Sequence, residues 1–584
     1  MCGIAGYTGK GQALDYILKI LTFLEYRGYD SAGIAYFRDD DSIGVVKTKG
    51  NIENLKQKLS SHDISSDCII GHTRWATHGE PSDANAHPHG TENVQIVHNG
   101  IIENSDDIRS FLWENGYDFV SRTDTEACAK LIDYYFKKSS NPIDALKKAA
   151  YHLKGSYAVA AVFYGFGNTI YAFRKDSPLI VAPSFDGCFV VSDISALSGY
   201  ADSFYSVDED EIVRVCADAI EFVDAAGEIR TKRAVNVTHA KNNGDKEDYP
   251  HYMLKEIYED ADSALATFES ADMEFAKDDY DEIHIVGCGT AYNAGLCASC
   301  FMEKILSVPV RVHTASEFRY YTPVLSKDGI CIFVSQSGET ADTLAALRLA
   351  KSLGVKTLAI VNSPLSAMAK EADYVILTKA GQEVSVASTK AYVSQLAAFC
   401  VLTGGMGKSK ASFREICTRL TPSKNTTDIC RELAAFLAKS KDVFFIGRGQ
   451  DYAIACEAAL KAREVSYVNC NAYPAGELKH GSIALIEKET PVVAIVTEDA
   501  TADKIISNIN EVKSRGAKVA VIVRDGIDIP SDVADWILYL PKAEDMYMPL
   551  IAAPVIQLIA YYMATELGTN PDRPRNLAKS VTVE

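Results

Sequence analysis

Little in this chain would take it out of an ordinary aqueous compartment. Its first residues show no basic stretch followed by an apolar run, so no secretory leader is expected. The longest apolar stretch, 548–564, is broken by Pro554 and Gln557 and is short for a bilayer span. Positive charge is in deficit: Lys plus Arg number 59 against 78 for Asp plus Glu, a formal net charge of −19. That balance argues against nucleic acid and anionic membranes as partners, and it leaves any anionic substrate to local donors. Cys297 and Cys300 have metal-ligand spacing, but no second such pair accompanies them among the 14 cysteines. Buried thiols in a reducing, cytoplasmic setting fit better than a zinc site. No glycine-rich loop ends in the lysine of a nucleotide-triphosphate site. The turns Gly287-x-Gly289 and Gly447-x-Gly449 lack the third glycine and the ribose-binding acid of a dinucleotide fold.

Cys2, followed by Gly3-Ile4-Ala5-Gly6, is the most distinctive feature present. Removal of Met1 would place a thiol and a free α-amine on one residue. With an amine pKa of about 7.7–8.0, that residue would carry its own base.

A length of 584 residues calls for several domains. Residues 1–235 mix short β-rich runs, such as Tyr157-Ala158-Val159-Ala160-Ala161-Val162, with a few helices, which predicts an α+β layered domain. The polar run 241–248 reads as a linker, and 252–271 as one amphipathic helix. From 281 onward apolar runs alternate with helical segments, as in Ile283-His284-Ile285-Val286 and Ile330-Cys331-Ile332-Phe333-Val334. This pattern predicts parallel, doubly wound sheets, and its recurrence predicts two homologous subdomains, roughly 275–410 and 435–570.

The second half holds candidate sites. Ser335-Gln336-Ser337-Gly338-Glu339-Thr340 lies between an apolar strand and a helix, where hydroxyls and backbone amides suit a single phosphate. Ser385-Val386-Ala387-Ser388-Thr389 is a second hydroxyl cluster before a helix. Glu457, Lys461 and Glu464 fall on one helical face, which reads either as a solvated ion-paired surface or as acid–base machinery. Glu477, Lys479 and His480 lie between glycines and could move protons in an aldose–ketose interconversion.

Together with Arg74-Trp75-Ala76-Thr77-His78-Gly79, His98-Asn99-Gly100, Ser121 to Glu126, Ala387-Ser388-Thr389-Lys390 and the tail to Glu584, these residues closely resemble the isomerizing glutamine–fructose-6-phosphate aminotransferases, the glucosamine-6-phosphate synthases. The resemblance covers almost the whole chain. It implies an N-terminal-nucleophile (class II) glutaminase domain at 2–235, a linker at 236–250, flavodoxin-like sugar-isomerase (SIS) subdomains at 251–425 and 426–570, and a tail at 571–584 that closes the sugar site. It further implies a cytoplasmic homodimer with small-molecule substrates and neither cofactor nor metal, although five of the 12 histidines (72, 78, 87, 89 and 98) cluster in the first domain.

The residue roles also come from the resemblance. Cys2 attacks the glutamine amide; Asn99 and the Gly100 amide form the oxyanion hole; Arg74 and Asp124 hold the carboxylate and ammonium of glutamine. Thr77 and His78 line the pocket, His87 lies in a loop that closes over glutamine, and Trp75 gates ammonia. Thr290, Ser335, Gln336, Ser337, Thr340, Val386 and Ser388 contact the sugar phosphate. Glu464 moves the proton between C1 and C2 beside Lys461, His480 opens the ring, and Lys579 forms a Schiff base. One departure is visible: Ala291 stands where the family commonly has serine, which removes one phosphate hydroxyl. The short linker makes feedback by a nucleotide sugar less expected. The competing readings are a sugar-phosphate sensor and another glutamine amidotransferase.

Overall fold

The computed structural model describes residues 2–582 except 77–78, 237–245, 277–278, 322 and 405–409. The chain divides into two compact units, Met1–Asn243 with Ala578–Glu584, and Gly244–Leu577.

The first unit is built on two antiparallel sheets. One has eight strands in the spatial order Val235–Asn236, Ser203–Ser206, Ile180–Pro183, Gly187–Val191, Gly3–Gly9, Cys68–Arg74, Ser31–Phe37 and Ile43–Lys49. The other has seven, with Val94–Ile102 and Gly155–Phe163 adjacent near one edge. Ile4, Ile70, Val97, Ala158 and Val190 share a core cluster between the sheets. Helix Ala13–Leu24 covers the outer face of the first sheet, and helices Asp124–Ser139 and Pro142–His152 cover the second. Helix, sheet, sheet and helix therefore stack in four layers. The central strands are consequently buried on both faces, so they read as continuous apolar runs rather than alternating ones.

The second unit contains two parallel sheets with the same strand order. The first runs Val310–Thr314, Ile283–Gly287, Ile330–Ser335, Lys356–Val361, Tyr374–Leu377. The second runs Asn469–Pro474, Asp442–Gly447, Pro491–Val496, Lys518–Arg524, Trp536–Leu540. In each copy the chain's second strand lies outside its first, and the third lies on the other side. The order reverses between the first and third strands, and ligands enter at the carboxyl ends of strands at such a switch point. Gly289 and Gly449 both have φ 54° and ψ −125°, and each starts a 17-residue helix, Thr290–Leu306 and Gln450–Ser466. A side chain would strain either turn.

Two readings are refined. Segment 252–271 forms two helices, Tyr252–Tyr258 and Asp260–Ser270, parted at Glu259. The Glu259 amide is shared between the carbonyls of Lys255 and Glu256, which tightens the turn and ends the first helix. The apolar stretch near the end becomes helix Met548–Glu566. With the turn before it, this is the one helix among the described residues long and apolar enough to cross a membrane, but 89% of that window is buried inside the chain. Its apolarity serves the core, where Ile551, Val555 and Leu558 join residues of both sheet copies.

Candidate functional sites

Cys2 opens the central strand of the eight-stranded sheet. Register pairs Gly3 with Thr73 on the neighbouring strand, so the end of Cys68–Arg74 comes beside the thiol. The Trp75 backbone N–H donates to Cys2 Sγ at 3.3 Å. Burial raises the thiol's pKa, against the opposing influence of that amide and of the Arg74 charge. An unaided thiol here is therefore protonated near neutrality and needs a base. Arg74 is buried and donates to the Gly79 carbonyl at 3.1 Å. Asp124 begins helix Asp124–Ser139, capped by Thr123; its oxygens accept the N–H groups of Ile102 at 2.8 Å and Thr125 at 3.0 Å. A cation and an anion are thus fixed near one nucleophile. Trp75 meets Tyr29 edge-on at 5.6 Å. Thr77 and His78 lie outside the described residues.

Asn99 and Gly100 lie on the strand Val94–Ile102 of the other sheet. Gly100 has φ +110°, and a Cβ there would sit 2.0 Å from the Ser156 carbonyl oxygen, so only glycine fits. His72, noted from the sequence as one of five clustered histidines, has no role assigned by the resemblance. Its Nε2 lies 2.8 Å from the His98 carbonyl oxygen and 3.1 Å from Asn99 Oδ1. A carbonyl can only accept, so Nε2 carries the proton. Asn99 is then held by its oxygen, and its amide N–H groups stay available as donors.

His87, expected in a loop that closes over glutamine, lies in the connection that leads into the short strand His89–Gly90. His87 is 4% exposed and stacks on His72 at 4.0 Å. Its Nδ1 accepts the His98 amide, so Nε2 donates to Thr125 Oγ1 at 3.1 Å; that hydroxyl donates in turn to His98 Nδ1 at 2.9 Å. His87 is packed inside the domain, where its ring completes this chain of fixed tautomers.

The buried histidines give the first unit a defined acid sensitivity. Burial first, then His98, takes His72 from near 6.5 to about 3, and burial takes His87 and His89 well below their ordinary value. The folded unit binds fewer protons than the unfolded chain over that range. Its stability is therefore present above about pH 6.5 and lost as pH falls toward the folded values. At about 1.4 kcal/mol per pKa unit, His72 alone sets an upper bound of about 5 kcal/mol. In the second unit Asp451 and Glu457 are both raised to about 7, chiefly by burial, so their contribution is lost as pH rises through 7. Calorimetric scans from about pH 4 to 8 are expected to move the two units' transitions in opposite directions. Parallel movement would refute this.

In the second unit, Ser335 ends a central strand at the switch point. Its hydroxyl accepts the Gly338 N–H at 3.0 Å and meets Thr340 Oγ1 at 2.9 Å; Ser337 Oγ accepts the Glu339 N–H at 3.2 Å. The Gln336 carbonyl accepts the Asn362 N–H at 3.0 Å. Glu339 would repel an anion, but its carboxylate is turned away to accept the Ala367 N–H at 2.8 Å, at the start of another helix. Thr340 makes no side-chain cap on helix Ala341–Ser352. This loop therefore meets the requirements of an anion site.

The face Glu457-Lys461-Glu464 is buried at its first two members, while Glu464 keeps 21% of its side chain exposed. Glu457 is fully buried and Lys461 is 1% exposed. Lys461 Nζ lies 2.6 Å from Glu464 and 3.6 Å from Glu457. Burial opposes the ammonium, but the two carboxylates outweigh it and its pKa is raised. Glu457 also accepts from Thr290 Oγ1 at 3.1 Å and Asn293 Nδ2 at 2.8 Å. Thr290, expected at the sugar, thus spends its proton joining the two sheet copies. Ala291 is buried beside it, at the glycine turn. Val386 donates its N–H to the Asp572 carbonyl at 3.0 Å, and Ser388 donates to Glu383 at 3.2 Å. His480 is exposed on the turn Glu477–His480, and among the described residues no hydrogen bond ties it to the Lys461 row. Lys579 falls in the segment Ala578–Glu584, which belongs to the first unit.

Comparison with known proteins covers both units. A glutamine amidotransferase domain matches residues 72–199, and a SIS domain matches twice, at 278–403 and 436–567. The isomerizing glutamine–fructose-6-phosphate aminotransferase of Clostridium acetobutylicum is 43% identical over 611 aligned residues, covering all of both chains. That of Pectobacterium atrosepticum is 36% identical over 612, again across both. Among solved structures, the C-terminal domain of the Francisella tularensis glucosamine-fructose-6-phosphate aminotransferase superposes with a TM-score of 0.54 at 36% identity, covering 56% of this chain and 100% of that one.

Proposed function

Since the chain belongs to the isomerizing glutamine–fructose-6-phosphate aminotransferase family, whose reaction yields glucosamine 6-phosphate and glutamate from fructose 6-phosphate and glutamine, we propose how its own residues divide that work. Cys2, freed of Met1, attacks the glutamine amide with its α-amine as base. The step forms a γ-glutamyl thioester and releases ammonia, and water then releases glutamate. Asn99 and the Gly100 N–H stabilise the oxyanion, each such donor being worth about 3–4 kcal/mol. Arg74 and Asp124 orient glutamine, Thr77 and His78 complete the pocket, and Trp75 controls the passage of ammonia to the sugar.

In the second unit Ser335, Gln336, Ser337 and Thr340 take the phosphate. Glu464 carries the proton between C1 and C2 beside the Lys461 ammonium, and His480 opens the ring; Lys579, on the tail segment grouped with the first unit, supplies the amine for a Schiff base. The observation that carries this division is the Glu457–Lys461–Glu464 row, buried at Glu457 and Lys461 and bonded through Thr290 to the glycine turn of the copy that holds the hydroxyl loop. The working form proposed is a cytoplasmic homodimer, tested by sedimentation.

Purified protein given glutamine and fructose 6-phosphate is expected to form glucosamine 6-phosphate and glutamate in equal amounts. Glutamate release without amino sugar would overturn the assignment of the second unit.

A further inference from the structure

The nucleophile and the oxyanion donors of the first unit lie on different sheets. Cys2 precedes strand Gly3–Gly9 of the eight-stranded sheet, whereas Asn99 and Gly100 lie on Val94–Ile102 of the seven-stranded one. Attack by the thiol needs the two held in one fixed orientation. Apolar contacts between the sheets, among Ile4, Ile70 and Val97, hold them together but carry no direction. One polar bond supplies the direction. His72 lies opposite Ile4 and two residues from Ile70, so strand alternation puts it on the face that meets the other sheet. It is fully buried, and its Nε2 proton is shared between the His98 carbonyl at 2.8 Å and Asn99 Oδ1 at 3.1 Å.

A polar ring inside an apolar layer is costly unless it is bonded, and this one is held from behind as well. It stacks on His87 at 4.0 Å, and His87 is tied through Thr125 Oγ1 to His98. The oxygen and nitrogen ends of an asparagine amide are alike in shape, so hydrogen bonds decide which end faces a ligand. Because His72 takes Oδ1, the opposite end, Nδ2, is left for the substrate. An amide reversed end for end would present an oxygen to the oxyanion and repel it.

We propose that His72 is a positioning residue for glutamine hydrolysis: it bonds the oxyanion strand to the nucleophile's sheet and locks the Asn99 amide with its N–H groups toward the developing oxyanion. This rests on the glutaminase reading of the first unit. Without the Nε2 proton, the His98 carbonyl that shared it competes for the Asn99 N–H groups, and the amide reverses.

In the full-length protein, His72→Leu and His72→Phe are expected to lower kcat for glutamine hydrolysis about 10–100-fold and to leave KM for glutamine within about twofold. His72→Gln, whose amide nitrogen can stand near the Nε2 position, is expected to stay within about fivefold of the parent. Leucine and glutamine both remove the stack on His87, so a merely structural role would lower both alike. Phenylalanine keeps a stacked ring without the proton, and it serves if the leucine variant does not fold. Alkylation of Cys2 by iodoacetamide passes through no oxyanion, and its rate, followed by peptide mass analysis, is expected to match the parent in all these variants. The double variant H72L/N99A is expected to be no slower than Asn99→Ala alone, because both changes remove the same donor from the oxyanion. Multiplied losses in the double variant, slower alkylation, a rise in KM in place of the fall in kcat, or equal losses with leucine and glutamine would overturn the inference. If Asn99→Ala itself leaves kcat unchanged, the oxyanion reading of the first unit fails instead.

Discussion

Replacing Cys2 with alanine is expected to lower glutamine hydrolysis by on the order of 10⁴-fold or more while leaving synthesis from free ammonia and fructose 6-phosphate intact. Among the described residues at that strand end, the Cys2 thiol is the nucleophile suited to form the acyl intermediate. It is half-buried, its pKa is raised, and the Trp75 amide is aimed at its sulfur. Alanine removes the nucleophile but leaves the strand pairing of Gly3 through Thr8 with Cys68 through Thr73. The proton transfers and phosphate contacts of the sugar chemistry are assigned to residues of the other unit, and alanine at position 2 leaves Lys579 in place, so that chemistry should persist. Glutamate release and ammonia-driven amino-sugar formation, measured side by side, decide the matter. Loss of both activities would mean that Cys2 is structural. Mass analysis of active protein with Met1 retained would exclude the α-amine as base.

Lys461→Met is expected to produce the largest loss of stability in the second unit. The ammonium is 1% exposed and lies within 4 Å of two carboxylates, at 2.6 Å and 3.6 Å. Removing one partner of a buried ionic group costs about 3–5 kcal/mol, because the buried Glu457 carboxylate is left without a counter-ion, while the partly exposed Glu464 keeps some water. Glu457, already raised to about 7 by burial, would be driven further toward its protonated form, since Lys461 is the chief influence lowering it. Amino-sugar formation from ammonia should disappear, and denaturant midpoints for this unit should fall. Glutamine hydrolysis at Cys2 should survive. A variant as stable and as active as the parent would show that the row is a dispensable ion pair.

These two residues mark the limits of what the chain reveals before it folds. Cys2 needed no structure to stand out, because its position in the sequence is its chemistry. Lys461 was ambiguous: spacing placed it on one face with Glu457 and Glu464, but periodicity cannot say whether a face meets water or another helix. Burial against the Thr290–Leu306 helix made it a charged core row. The 385–389 cluster shows the same limit. Its hydroxyls before a helix suggested an anion site, yet Glu383, a few residues upstream, folds back to fill it.

The alternation of strands and helices, the duplication of the α/β unit, the glycine turns and the candidate nucleophile are legible along the chain, because they depend on local period and residue type. Which charges are buried, that His87 is packed against His72, and which way Asn99 and Ser388 present their hydrogen bonds emerge on folding. Burial, tautomer and hydrogen-bond direction depend on neighbours hundreds of residues away in the chain or across a sheet, and no local pattern encodes them.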